Sequence, residues 1–389
     1  MKKITLIALF LSAAIMLNTF CFALETNETV VEESNQVTMT LEEAVAFALK
    51  NNSTIKDTDF KTMVNDQKDL YNDEKITYQV WKNKMRSGGY SFETPTDYLA
   101  SRGHMLEMAK LSYNSVLSAK GSAEETISYT IKQLAYTIDQ LEKSLELIEK
   151  TIVKQERDVK IAEVKSSLNM ITALDVETAK QTLTSTKLQL ESLKPTLASV
   201  KNTLKNLMGF DLSKELVITL PETELTILEV SDLSKIIEDS LETNSDAIKA
   251  KIEFKTKEMN YILATNTHWF AREETKDAKK AYSDAELRLN NSIKFIKDNL
   301  YTLHNSVKTS EESAILAKSE YDQLQIKYKQ MEVMHELGMI TTHDFNSYEI
   351  ALINAKNAYD KSLQENILLN ERWNIALKYG DVLAKEEGK

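Results

Sequence analysis

One periodicity, present twice, constrains this chain more than any other feature. Apolar residues fall at Ile127, Ile131, Leu134, Ile138, Leu141, Leu145, Ile148 and Ile152, in alternating steps of four and three. That spacing places them all on one stripe of an α-helix, the stripe that packs against a second helix in a left-handed supercoil. After a break at Asn169-Met170-Ile171-Thr172, a second seam runs through Val176, Ala179, Leu183, Thr186, Leu190, Leu193, Leu197, Val200, Leu204 and Leu207. Two helices joined by so short a break fold back on each other as an antiparallel hairpin. Moving 169 residues along reproduces the pattern: Ile296, Leu300, Leu303, Val307, Ser310, Ala314, Ala317 and Tyr321 precede a turn at Gly338-Met339-Ile340-Thr341. Phe345, Tyr348, Leu352, Ala355, Tyr359, Ser362, Asn366, Leu369, Trp373 and Ala376 follow it. A gapless offset through both arms and the turn is the mark of an internal duplication.

A second matched element precedes each hairpin. Leu41, Val45, Leu49, Asn52 and Ser53 correspond to Leu233, Ile237, Leu241, Asn244 and Ser245, here at an offset of 192. The larger offset means that the first copy carries extra chain, and the natural place for it is 87–97, where Gly88-Gly89 and Pro95 interrupt the helical pattern. Thr40 and Glu43 form a capping-box sequence at the start of the opening helix. From Tyr98 to Leu168 the pattern reads as one continuous helix of roughly 105 Å at 1.5 Å per residue, too long for the inside of a compact domain. Pro195 lies within the return arm of the first hairpin and is expected to kink it. The resulting partition is 1–23 a leader, 24–39 a mobile acidic segment, 40–208 the first hairpin repeat, 209–232 a connecting strap, 233–380 the second repeat and 381–389 a charged tail. The strap holds Val217-Ile218-Thr219, room for one short strand.

Lys2 and Lys3, an apolar run from Ile4 to Leu17 and a small-residue site at Cys21-Phe22-Ala23 have the layout of a secretory signal peptide. Lipidation of Cys21 is the alternative, disfavoured by the bulky Phe20 before it. Cleavage would remove the only cysteine and move the net charge from −11 to −13, leaving neither disulfides nor thiolate metal sites. So acidic a chain is a poor nucleic-acid binder. Only 8 Gly and 3 Pro in 389 residues favour long helices over a sheet-rich fold. No stretch after the leader approaches the ~18 apolar residues that span a membrane.

The turns are the candidate sites. Each has Thr-x-x-Asp after its Met-Ile pair, Thr172 with Asp175 and Thr341 with Asp344, which reads first as capping of the return helix. Gly338 reads as a helix C-terminal glycine, with Asn169 in the equivalent place. Capping leaves Met170-Ile171 and Met339-Ile340 unexplained; exposed on a hairpin tip, they suggest a docking surface. The histidines, His104, His268, His304, His335 and His343, form no ligand motif beyond a loose pairing of His335 and His343 across the turn. Neither a nucleophilic triad nor a phosphate loop is present, so an enzyme is not expected, nor a cofactor. Glu and Lys pairs at helical spacing read as solvated coiled-coil faces. Tyr321, Tyr328, Tyr348, Tyr359 and Trp373 read as bulky packing in the second seam.

Taken together, Thr40-Leu-Glu-Glu-Ala-Val45 with Leu49 and Asn52, the tip Asn169 to Val176, the ladder ending in Leu207-Met208-Gly209 and their partial repetition from Leu233 to Gly380 resemble the TolC family of outer-membrane efflux proteins. The resemblance covers nearly the whole chain after the leader. It implies an all-α fold of long antiparallel coiled-coil hairpins in two tandem repeats, a TolC-like helical-barrel protomer. It implies a homotrimer whose hairpins close into a passive tunnel, gated by loosening of the coiled coils. Partners would be a periplasmic membrane-fusion adaptor at the tips (Asn169, Met170, Ile171, Thr172, Asp175, Gly338, Met339, Ile340, Thr341 and Asp344) and an inner-membrane transporter. The location would be the cell envelope.

The chain departs from the family at the other end. Four membrane strands of about 9–11 residues should interrupt the helices before the hairpins. Only 76–81 and 90–92 offer weak strand candidates in the first copy, and 260–297 in the second reads as helix with at most a break at 265–269. The barrel insert is therefore expected to be reduced or absent. Two functions stay open: a duct component of an efflux or secretion system, or a non-conducting structural or adaptor coiled coil of the envelope.

Overall fold

The computed structural model describes residues 36–266 and 272–381. The expected leader with Cys21, residues 24–35, His268 and the tail beyond 381 lie outside them. A strand β1 (Gln36–Thr40) leads into α1 (Leu41–Asn51), α2 (Ser53–Asp57) and α3 (Phe60–Ser87). Then come α4 (Pro95–Ser101), the first hairpin α5 (His104–Ser167) and α6 (Ala173–Met208), strand β2 (Glu215–Thr219), α7 (Leu233–Ser240), α8 (Ser245–Asn266) and the second hairpin α9 (Arg272–Glu336) and α10 (Thr342–Tyr379). From Val37 onward they form one unit.

The long helices lie side by side in four columns. Helix α5 has α6 on one side and α10 on the other, and α10 in turn packs on α9. Two columns are single helices, α5 of 64 and α9 of 65 residues. The other two are composite. Helix α3 packs on the N-terminal half of α5, where Tyr71 stacks on Tyr113, and α6 packs on the C-terminal half. Likewise α8 lies along the first part of α5 through Met108, Ile248 and Ile252, and α10 along the rest. At 28 and 36 residues, α3 and α6 together match the length of α5.

Every residue of the four expected seam runs is buried or half-buried. Along α6 they are almost the sole covered positions, so that helix is packed on one narrow stripe only. Two polar members of the second seam have a task of their own: Asn366 and Ser310, both buried, bond to each other at 3.1 Å. The Asn366 side chain also accepts from the backbone N–H of Thr226, pinning the strap. Leu228 N–H donates to buried Glu311 at 2.7 Å, and Asn370 donates to the Thr226 carbonyl. A strap without helix or sheet from 220 to 232 thus finds its hydrogen bonds on the second hairpin.

Three expectations change. The long helix does not start at Tyr98: Gly103 takes φ 82°, outside the helical region, and separates α4 from α5, and only glycine suits it because a β-carbon would meet the Tyr78 ring at 3.2 Å. Residues 76–81 are helix, not strand, and 90–92 are irregular, held by the ring of Phe92 against Trp81, Tyr90 and Tyr98. The segment 24–39 ends in β1, which pairs with β2 in the strap. Pro195 lies inside α6, as its place in the sequence implies.

Candidate functional sites at the tips, the joints and the seam between hairpins

Both tips are built alike from the backbone outward. At the first, Met170 N–H bonds to the Lys165 carbonyl and Asn169 N–H to that of Ser166, with Asn169 left-handed at φ 54°. At the second, Met339 bonds to Met334 and Gly338, φ 69°, to His335. This pair of bonds is the Schellman closure of a helix, which needs a residue tolerant of the left-handed region. The return helices then start on capping threonines: Thr172 Oγ1 accepts from Asp175 N–H at 3.2 Å, Thr341 Oγ1 from Asp344 N–H at 3.1 Å. Asp175 accepts in return from the Thr172 hydroxyl and N–H, both at 2.8 Å, and these bonds hold its carboxyl below the usual range.

The apolar surface at the tips differs from the Met-Ile pairs expected. Met170 and Met339 are each 66 % exposed, but Ile171 and Ile340 are half-buried. Leu168 and Leu174 at the first tip and Leu337 at the second complete the exposed set. Contacts between α5 and α10 pair Asp158 with His343 and Arg157 with Asn346. In that antiparallel register the second tip ends beside residue 163 or so, roughly 6–9 Å short of the first at 1.5 Å per residue.

The two interfaces of α5 differ in kind. Within the first hairpin the apolar seam is flanked by Glu142–Lys201, Glu156–Lys187 and Glu163–Lys180, ion pairs of 2.7–2.8 Å in one heptad register. Between the hairpins Tyr129 packs on Ile375, Ile367 and Leu368 reach the cluster of Ala135 and Tyr136, and polar pairs run alongside. Lys132 pairs with Glu371 at 2.5 Å, Lys143 with Asp360 at 2.7 Å and with Asp139, and Lys150 with Glu349 at 3.1 Å. Gln364 bonds to both Asp139 and Gln140. Toward the tips, Asn346 accepts from Arg157 Nη1 at 2.6 Å, and His343 Nε2 meets Asp158 Oδ1 at 3.0 Å. Burial works against the charge on Lys143, but its bonds to Asp360 and Asp139 prevail and its pKa is raised. These pairs between helices add to the Glu and Lys pairs at helical spacing, of which Lys120–Glu124 and Lys361–Glu365 lie on solvated faces. The signal that could have revealed them is a stripe of Lys132, Lys143, Lys150 and Arg157 at eleven- and seven-residue steps.

The composite columns are spliced by matched asparagines whose role the sequence did not disclose. Asn52 Oδ1 accepts from Thr54 and Ile55 N–H at the start of α2, while its Nδ2 donates at 2.7 Å to Leu207 O at the end of α6. Asn244 does the same with Asp246 and Ala247 N–H on α8 and Ala376 O on α10, at 3.0 Å. One amide side chain thereby satisfies the free ends of two helices.

The histidines are dispersed. His335 Nε2 lies 3.1 Å from Thr342 Oγ1 with its ring stacked on Phe345, away from the contact made by His343. His304 packs edge-on to Trp373, and His104 is held below its usual pKa by burial and by Lys255. Among the described residues, no three His, Cys, Asp or Glu converge on a metal position. The aromatic seam is packing: Tyr321 stacks on Tyr359, Tyr328 lies against Phe345, and Lys327 sits over Tyr348.

Two tandem hairpins completed into four columns by stacked half-length helices, with a two-stranded sheet, define an all-α TolC-like fold. The chain matches solved bacterial membrane proteins in fold. It is similar to VceC of Vibrio cholerae at TM-score 0.57 and 12 % identity, over 88 % of this chain and 96 % of that one. CmeC of Campylobacter jejuni matches at 0.52 and 12 %, over 96 % and 98 %. A membrane protein from Pseudomonas aeruginosa matches at 0.55 and 13 %, over 87 % and 90 %. No protein-family model matches the chain, and no curated protein matches it in sequence. Between α3 and α5 the chain has α4 and no strand, and no helix among the described residues is long and apolar enough to cross a membrane.

Proposed function

We propose that this chain is exported to the cell envelope and forms one third of a TolC-like homotrimeric duct. The observation that carries this reading is the pair of open edges on the four-column row. Helix α9 packs on α8 and α10, with α7 and the strap at Leu228 laid over part of it, yet bears exposed Leu287, Phe295, Ile315, Leu316, Ile326 and Val333. The opposite edge presents Ile76 and Val80 on α3 and Leu188 on α6. Apolar stripes on both edges of a layer call for identical neighbours, and a layer joined edge to edge closes into a ring. Three copies is the number implied by the resemblance. The interior would be a passive conduit, the tips Asn169–Thr172 with Asp175 and Gly338–Thr341 with Asp344 would dock a membrane-fusion adaptor, and an inner-membrane transporter would drive the flux. The structural neighbours, an outer-membrane protein and an outer-membrane channel, support the reading at the level of fold.

The test is solution mass by sedimentation equilibrium. A trimer supports the reading, and Phe295→Glu, which places a charge on a side chain 65 % exposed in the single chain, should dissociate it without unfolding. A monomer in the unmodified protein would refute it. The strand-free connection between α3 and α5 favours the second reading, a non-conducting structural or adaptor protein of the envelope. A trimer that gives no conductance in planar bilayers and no flux in cells would favour that one.

A further inference from the structure

We propose that the end of the molecule opposite the tips rests on an anionic lipid surface, without spanning it, through the loop 88–94 and the last turns of α3; this goes beyond the duct reading and does not need it. Helix α5 starts at His104 and reaches the first tip only after 64 residues, so the turn from α3 to α5 lies roughly 95 Å from that tip at 1.5 Å per residue. Charge there runs against the rest of the chain. The net charge overall is −11, yet 75–92 holds Lys75, Lys82, Lys84 and Arg86 and no carboxylate, and Arg102 follows at the end of α4. The acids next to it are Glu93, which is exposed, and Asp97, which is engaged by Thr94 at the start of α4. The balance at this end stays positive.

The rings at the same end form a knob. Phe92 holds Trp81, Tyr90 and Tyr98 at centroid distances of 5.3–5.5 Å, with Trp81 buried beneath and Tyr90 44 % exposed. Lys84 Nζ lies 4.7 Å from the centre of the Trp81 ring and Arg102 Cζ 5.7 Å from that of Tyr98, so both exposed cations sit at the margin of an aromatic surface. Gly88 and Gly89 take φ 74° and 71°, and a β-carbon on either would meet nothing within 4 Å, so the loop stands clear of the helices. Amphipathic rings edged by lysine and arginine match the level of lipid headgroups: the ring body enters the interface, its polar edge stays with water, and the cation meets phosphate. Basic residues clustered beside an apolar anchor hold a chain on anionic lipid with no spanning segment. A soluble polyanion would call for the cations alone; the aromatic knob is what a lipid interface adds.

In a Cys21→Ser full-length chain, an environment-sensitive fluorophore on Ser91→Cys reads contact at the loop, and the same dye on Met339→Cys reads the second tip. Vesicles of phosphatidylglycerol and phosphatidylcholine in equal amounts should shift the Ser91 emission to the blue, and nitroxide-bearing lipid should quench it. Pure phosphatidylcholine should do neither, and the dye at Met339 should stay unchanged. Lys84→Gln combined with Arg86→Gln should weaken the apparent affinity about 25-fold, since each basic residue at such a surface contributes about fivefold, and the loss should shrink as salt rises. Tyr90→Ser should lower the affinity at every salt concentration. All these side chains are exposed, and circular dichroism checks that each variant folds. The expected leader is common to every variant and drops out of their differences. No shift at Ser91 on anionic vesicles, an equal shift on pure phosphatidylcholine, or an unaltered affinity in the double variant overturns the proposal. So does inorganic polyphosphate bound as tightly as the vesicles, which would mark a polyanion site instead. Sedimentation of the same samples keeps the two ideas apart: lipid contact by a monomer leaves this surface standing and removes the duct, and a trimer without contact does the reverse.

Discussion

Replacing Asn244 should damage the second joint in two separable steps. Its side chain is 0 % exposed and makes two kinds of bond: its oxygen caps α8 through Asp246 and Ala247 N–H, and its amide reaches Ala376 O. Alanine removes both. The lost cap costs about 1 kcal/mol, within a range of roughly 0.5–2. Leaving buried groups without partners costs about 1–3 kcal/mol more, and the lower half applies here because Ala376 O also accepts from Gly380 N–H at 3.0 Å. The sum is about 2–3 kcal/mol. Serine caps a helix about as well as asparagine but is too short to span the joint, so Asn244→Ser should recover the first part and lose about 1–2 kcal/mol.

The assay is urea unfolding at fixed protein concentration, since assembly shifts apparent stability, with amide exchange read at both helix ends. In Asn244→Ser, exchange should rise at the C-terminal turn of α10 and stay unchanged at the start of α8. Asn52→Ser should act alike on the last turn of α6 through Leu207 O. Wild-type stability and exchange in Asn244→Ser would refute the argument, because the bond across the joint would then contribute nothing.

At the first tip, Thr172→Ala should fray the start of α6, seen as faster amide exchange from Ala173 to Val176. Because the Thr172 bonds lower the pKa of Asp175, the cap contributes above the ordinary carboxylate value near 3.8 and is lost as pH falls through the depressed one; Asp175→Asn should abolish that dependence. Gly121 lies mid-helix in α5, where a β-carbon would sit 2.8 Å from Tyr379 Cζ. Gly121→Ala should therefore cost about 1–3 kcal/mol by overpacking despite its better helix propensity, and the Tyr379→Ala background should remove the penalty in a double-mutant cycle. Across the hairpins, Lys143→Met should weaken the α5–α10 contact by about 0.5–1 kcal/mol at low salt and by less at 1 M, measured by exchange along α10.

How much of this was legible depended on whether one periodicity could express it. The seams were fully readable, down to polar Ser310 and Asn366, because a helix with one partner shows one apolar stripe. Helix α6 has essentially one partner and its covered residues are those the spacing names. Helix α5 has two, and the second stripe, Lys132 to Arg157, is charged; a search for apolar spacing cannot see a face that packs by ion pairs. The Schellman turns were readable from Gly338 and less directly from Asn169, whereas Leu168, Leu174 and Leu337 look like seam residues until the turn geometry turns them outward. Asn52 and Asn244 were found as a matched pair, but their bonds cross 155 and 132 residues of sequence. No local rule assigns a donor to a carbonyl so distant.

The difference between the two faces of α5 bears on how the molecule can move. Separating α5 from α6 would expose Leu134, Leu141, Leu145 and their partners to water, at about 25 cal/mol per Å² of apolar surface. Separating α5 from α10 exposes Ile375, Ile367 and Leu368 near the joint, but toward the tips it returns lysines and carboxylates to solvent, a change that surface pairs make at a cost near 0–1 kcal/mol each. The hairpins should therefore behave as units that part from each other before they come apart internally. The joints set where such motion begins: Gly121 against Tyr379, and the Ile127–Leu204–Met208 cluster beside Asn52, lie within about two turns of each other on α5. Above them, α8 grips α5 through Lys255, which bonds Glu107 and Glu258 at 2.6 Å each, and through the Met108 cluster. A column fixed above a joint and held toward the tips by polar pairs has its freedom there, where exposed Leu168, Met170, Leu337 and Met339 are found.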